Sequence, residues 1–239
     1  MNFENILIMS IPACIALLGG VMASIWKPSH AARSLIQHFA AGVVLAALAV
    51  ELLPEIEREH APGIILIGSF AAGSLFMYAL KLWTMKLEEQ AEHSQSTAGI
   101  NIGLILATFI DVAMDGFIIG TGFAAGGSTG MILALGLSAE LLFLGLALAS
   151  DIIKGWRIIA ISGALGVTVL TFTLLGNFLL ADASNTLIGG VLAFSAAALL
   201  YLVTEELLME AHEVEEQNIS TLVLFSGFLV FWSIQLFNH

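Results

Sequence analysis

Long apolar runs separated by short polar breaks set the pattern of this chain. Eight runs, at roughly 5–26, 35–57, 63–87, 99–125, 129–152, 157–181, 185–210 and 217–238, each hold about 20 residues or more. At a rise of about 1.5 Å per residue, each is long enough as an α-helix to cross a hydrocarbon core of about 30 Å. The pattern predicts an all-α polytopic membrane protein, a single domain over residues 1–239 with eight transmembrane helices. The first run is too long for the apolar part of a cleaved leader, and residues 1–10 carry no Lys or Arg, so it reads as a retained span.

Composition agrees. Of 239 residues, 59% are hydrophobic and 11% charged, with a mean hydropathy of +0.98. A soluble domain has about one quarter of its residues charged. The net charge of −12 argues against nucleic acid and against docking on anionic lipid, and it suits cations. The single cysteine, Cys14, cannot form an internal disulfide.

The basic residues predict orientation. Lys27 and Arg33 flank the first connection, Lys81 and Lys86 precede the third, and Lys154 and Arg157 lie in the fifth. Arg58 alone falls in an even-numbered connection. Cytoplasmic odd connections satisfy the positive-inside bias and leave both termini outside. The seventh connection, 205–216, departs from it, being acidic with no Lys or Arg. Residues 88–98 read as a polar loop, with His93 in it as a solvated side chain or a cytoplasmic metal contact. Gly126, Gly127 and Gly130 mark a tight turn.

Between residues 93 and 150 the formal charges are Asp111, Asp115 and Glu140, all carboxylates in apolar runs. A carboxylate at mid-bilayer costs about 2.5–3.5 kcal/mol on insertion scales. No basic residue in the stretch offsets these three, so the economical explanation is a cation from outside. Asp111 and Asp115 are four residues apart and share a helix face. Glu140 is on the next span, which runs the other way, so all three reach similar depth. Glu206, at the inner end of the seventh run, could add a fourth oxygen. Oxygen ligands suit Mg, Ca and Mn and tolerate Zn or Fe(II). Met114 points elsewhere at helical spacing and reads as packing. The alternatives are protonated carboxyls bonded to Ser, Thr or backbone groups, or a proton relay.

An internal echo joins the second and seventh runs. Glu51-Leu52-Leu53-Pro54-Glu55 ends one, and Glu205-Glu206-Leu207-Leu208-Met209-Glu210 ends the other. One end falls outside and the other inside, as inverted repeats in a 3+2+3 arrangement require. Glu51 and Glu55 are then candidate entrance ligands, and Glu205, Glu210 and His212 candidate exit ligands, with solvation of span ends as the plain alternative. Pro54 lacks a backbone N–H and could free a carbonyl towards the pathway. His30, His38, His60 and His239 read as wet surface histidines near span ends.

At this point the chain resembles the ZIP (Zrt/Irt-like) divalent-metal transporters. Eight spans, outside termini, an inner third connection and acids on spans four and five match that family's layout. The stretch from Tyr201 to His212 is similar to its span-seven signature, an acidic pair followed by two apolar residues, Pro-Glu, a small residue and His. The span-four motif His-Asn-x-Pro-Glu-Gly aligns with residues 111–116, where Gly116 is identical, Asp115 replaces Glu and Asp111 replaces His. The span-five motif aligns with residues 136–141, where Glu140 survives. The resemblance implies metal ligation by Asp111, Asp115, Glu140 and Glu206. It also implies rocking or elevator-like alternating access, and a homodimer. Val112 and Leu137 stand where the family has further ligands and cannot coordinate, which argues against a second ion there. Loss of both imidazole positions shifts preference towards harder ions.

The expected function is therefore transport of a divalent metal cation into the cytoplasm, with the ion as bound substrate and no resident cofactor. The expected location is a membrane, the bacterial inner membrane being the natural one for such a carrier. Other classes are a metal sensor or binder that does not transport, an intramembrane enzyme, and a proton-coupled carrier of an organic solute. The enzyme lacks its marks, since neither a Gly-x-Gly-Asp with Tyr-Asp nor a His-Glu-x-x-His occurs.

Overall fold

A computed structural model describes residues 3–26, 28–93, 102–147, 155–212 and 219–238. The regular elements among them are helices, and there is no strand among the described residues. Among the described residues, eight helices are long and apolar enough to cross a bilayer, which makes the chain an integral membrane protein. They are span 1 (Glu4–Ile25), span 2 (His30–Arg58), span 3 (Gly63–Lys86), span 4 (Thr108–Ala125), span 5 (Gly127–Leu146), span 6 (Trp156–Leu180), span 7 (Asn185–Leu207) and span 8 (Ser220–Phe237).

Local sequence explains where the helices start and bend. Ser29 and Ser184 cap spans 2 and 7, their hydroxyls accepting from the Ala32 and Leu187 amides. Span 1 breaks at Ser10, two residues before Pro12, whose missing N–H and bulky ring disfavour a continuous helix. The turn between spans 4 and 5 narrows to Gly126, as the glycines predicted. The expected polar loop at 88–98 is corrected in part. The helix Gly63–His93 carries straight through its first half, because Leu87, Glu88, Glu89, Gln90 and Ala91 are strong helix formers. The rest of that loop lies outside the described residues.

The spans fall into two layers. Spans 2, 5 and 7 are about two-thirds or more buried and span 4 half buried, so these four form the centre. Spans 1, 3, 6 and 8 are a third buried or less, and their apolar outer faces suit lipid. Span 8 packs on span 2, span 3 on span 7, span 1 on spans 5 and 6, span 6 on span 4, and span 4 on span 5.

Backbones meet closely through glycine. A Cβ on Gly227 of span 8 would overlap the Phe39 carbonyl oxygen of span 2, and one on Gly73 of span 3 would lie 2.6 Å from the Phe194 carbonyl oxygen of span 7. Phe39 and Phe194 stand equally far ahead of the two Glu-Leu-Leu strings. Span 1 meets span 5 through Gly19 and Gly145, and span 4 meets span 6 through Gly120 and Gly176. The lack of side chains lets dispersion and packing, rather than hydrophobic exclusion, hold the helices together.

The two echoing strings also share a distortion. Span 2 opens into a π-helical turn at Leu48–Leu52, and span 7 does so at Leu202–Leu207. The Leu53 amide bonds five residues back to the Leu48 carbonyl, and the Leu208 amide bonds to the Val203 carbonyl in the same register. π turns inside α-helices are rare and concentrate at functional sites. Pro54 follows the first turn and cannot supply an amide to the Val50 carbonyl. Met209 holds the matching place in span 7, so proline is not what the turn requires.

Candidate metal centre

Asp111 and Asp115 project from span 4 and Glu140 from span 5. The two helices run antiparallel from the Gly126 turn, and Glu140 is about as far after it as the aspartates are before it. One oxygen from each of the three carboxylates lies within 4.8 Å of the others. The sequence-predicted trio therefore converges.

Asp115 is the centre of that cluster. It is 1% exposed, and neither carboxylate oxygen has a hydrogen-bond partner among the described residues. Two buried hydroxyls on the same spans are turned to their own helices: Ser138 donates to the Ala134 carbonyl at 2.6 Å and Thr121 to the Phe117 carbonyl at 2.8 Å. The alternative of a carboxyl bonded to Ser or Thr therefore finds no support at Asp115. A buried carboxyl without partners costs about 1–3 kcal/mol and more if charged, so this arrangement calls for a ligand. Val112 and Leu137 are fully buried in the hydrophobic core, and Met114 packs against it.

Glu206 does not join the tight group. It sits half-buried in the π turn of span 7, close enough for its charge to act on Asp115. The Tyr201 phenol lies within electrostatic reach of Glu206, Glu205 and Asp111 together. These side chains form one electrostatically linked group that joins span 4 to the end of span 7.

The proposed mouth residues are more engaged than solvated span ends would be. Glu51 is 4% exposed and accepts a hydrogen bond from Gln235 Nε2 of span 8 at 2.6 Å. The same amide nitrogen donates to the Val50 carbonyl at 3.0 Å. This corrects the expectation for Pro54: the carbonyl it leaves free turns to Gln235. Glu55 is buried and accepts from Arg58 Nη1 at 2.9 Å. Glu205 pairs with Lys81 of span 3. Glu210 and His212 belong to the short helix Leu208–His212, but their side chains lie outside the described residues, as does that of His93.

His30 and His60 are exposed as expected, and His239 lies outside the described residues. His38 is a correction. It is buried, with Nδ1 at 2.8 Å from the Ser34 carbonyl, because its helix face packs on the end of span 7, where the Ser34 hydroxyl donates to the Ala211 carbonyl at 2.8 Å. Gln235, Lys81 and Glu59 were also missed. The available signal for Gln235 was its place as the one amide side chain in the interior of the last apolar run, between Ser220 and Phe237.

Glu59, the first residue past span 2, is buried, and one of its oxygens has no partner among the described residues. Burial raises its pKa, the Glu55 charge raises it further, and His60 opposes them. The folded state therefore favours the protonated acid. Its stability is fully present below the ordinary glutamate value and is lost as pH rises through the raised one. Glu59→Gln should raise the melting temperature at neutral pH and match the wild type near about pH 4, as a thermal melt in detergent at two pH values would show.

No protein-family model and no curated protein matches this chain.

Proposed function

We propose that the protein is a carrier of divalent metal cations, with Asp111, Asp115 and Glu140 as the mid-membrane site. The observation that carries the reading is the buried Asp115 carboxylate, without a hydrogen-bond partner among the described residues and within reach of two further carboxylates. An all-oxygen donor set at the centre of an apolar bundle favours a hard or borderline ion such as Mn(II). The π turns lie on central spans, each just ahead of an acidic span end, where a transport route would need adaptable backbone. The matched turns, the matched Phe–Gly approaches and the similar packing of spans 1–3 and 6–8 support inverted repeats. These features, with the span-seven string, also support kinship with the ZIP transporters.

The mechanism follows from these residues. An ion sheds water onto the trio, which holds it against the apolar walls. It then passes Glu206 and Glu205 as the bundle opens to the other side. Proteoliposomes holding the purified protein test this. Saturable Mn(II) uptake is expected, lost in both Asp115→Ala and Glu140→Ala. Flux that survives both substitutions would sink the proposal, while metal binding without flux would make the chain a membrane metal binder.

A further inference from the structure

Each π turn is held by one side chain from the peripheral span packed against it. Gln235 of span 8 reaches the Val50 carbonyl and Glu51; Lys81 of span 3 reaches Glu205. Glu205 precedes Glu206 as Val50 precedes Glu51, so the two clamps grip the same point of the echo. The clamps differ in chemistry. Gln235 is neutral and donates a hydrogen bond without competing as a cation. Lys81 carries a full positive charge, and its ammonium sits on a carboxylate beside the exit route.

We infer that Lys81 is a tethered cation in the exit gate, exchanging with the leaving metal ion for the Glu205 carboxylate. This rests on the carrier reading above. An ion moving from the trio past Glu206 comes to Glu205, its chain neighbour in the same π turn, and the Tyr201 phenol lies within electrostatic reach of Asp111, Glu206 and Glu205. A free carboxylate there would hold a divalent ion and slow its departure. Lys81 neutralises it, and both side chains are part-exposed, at 32% and 42%, which leaves room for the swap. A lysine suits this role because its ammonium is a compact charge on a flexible stem. Glu51, the acid held by the other clamp, meets the neutral Gln235 amide there instead of a cation, so the two mouths differ in their hold on cations.

The test is Mn(II) uptake by the full chain in proteoliposomes, comparing Lys81→Gln, Lys81→Arg, Lys81→Met and Lys81→Gln/Glu205→Gln with wild type. Gln keeps a hydrogen bond to Glu205 but removes the charge. The inference predicts that Lys81→Gln lowers KM and kcat together, by about three-fold, the scale of a part-exposed ion pair. Lys81→Arg should behave as wild type, and the double variant should return both constants towards wild type. Lys81→Met should follow Lys81→Gln if it folds. A Lys81→Gln variant with unchanged or raised KM, beside a wild type that transports, overturns this inference and leaves the carrier standing. A folded wild type without flux overturns both.

Discussion

Asp115→Asn is expected to make the metal-free protein more stable and insensitive to metal. In the wild type the Asp115 carboxylate is buried with both oxygens unpartnered among the described residues. Such a group destabilises the fold by about 1–3 kcal/mol unless a ligand meets it. Replacing it with a neutral side chain of the same size removes the ionic part of that cost. Functional sites commonly carry destabilising groups of this kind. The wild type should in turn be stabilised by metal, by about 2.7 kcal/mol at a free concentration 100 times Kd. That gain should vanish in the variant. Thermal unfolding in detergent, with and without Mn(II), reads both effects. A metal-free variant less stable than wild type, with its metal response intact, would show that Asp115 is a structural acid.

Gln235→Leu is expected to destabilise the protein strongly without touching the trio. Its amide nitrogen serves two acceptors, the Val50 carbonyl and a Glu51 oxygen, both near the π turn of span 2. Leucine fills the space but strands both. Each stranded buried acceptor costs about 1–3 kcal/mol, and the carboxylate should lie at the upper end. The origin of one acceptor can be tested in the same background. Pro54 denies an amide to the Val50 carbonyl, and Pro54→Ala restores one. The double variant Pro54→Ala/Gln235→Leu should therefore recover part of the lost stability, measured by denaturant or thermal unfolding. A double variant less stable than Gln235→Leu alone would mean that the π turn, and not the missing amide, sets the local geometry.

These two residues also show how far the sequence can be read. Asp115 was legible because a charge in an apolar run has few explanations, and because antiparallel neighbours fix the relative depth of Asp111, Asp115 and Glu140. The spans were legible for the same reason: hydropathy over about 20 residues is a strong signal. Gln235 was not, since its partner depends on which faces of spans 2 and 8 meet. The π turns left no mark that separates Pro54 in one half from Met209 in the other. His38 looked like a span-end histidine until the packing of its helix on Ala211 buried it. Glu206 shares the right helix end but falls short of the tight trio, and it sits inside the π turn of span 7, where helical spacing is not the α period. Periodicity assumes a regular helix, and it fails where the helix is irregular.

The central claim is that three converging acids hold a divalent ion, and calorimetric titration of the purified protein with Mn(II) tests it most directly. Metal and protons compete for carboxylates, so affinity should fall from about pH 8 to about pH 5. Binding of one ion per chain, weakened by acid and abolished by Asp115→Asn, is the predicted result. Absence of binding by the folded protein, or an affinity that ignores both pH and Asp115, would contradict the account.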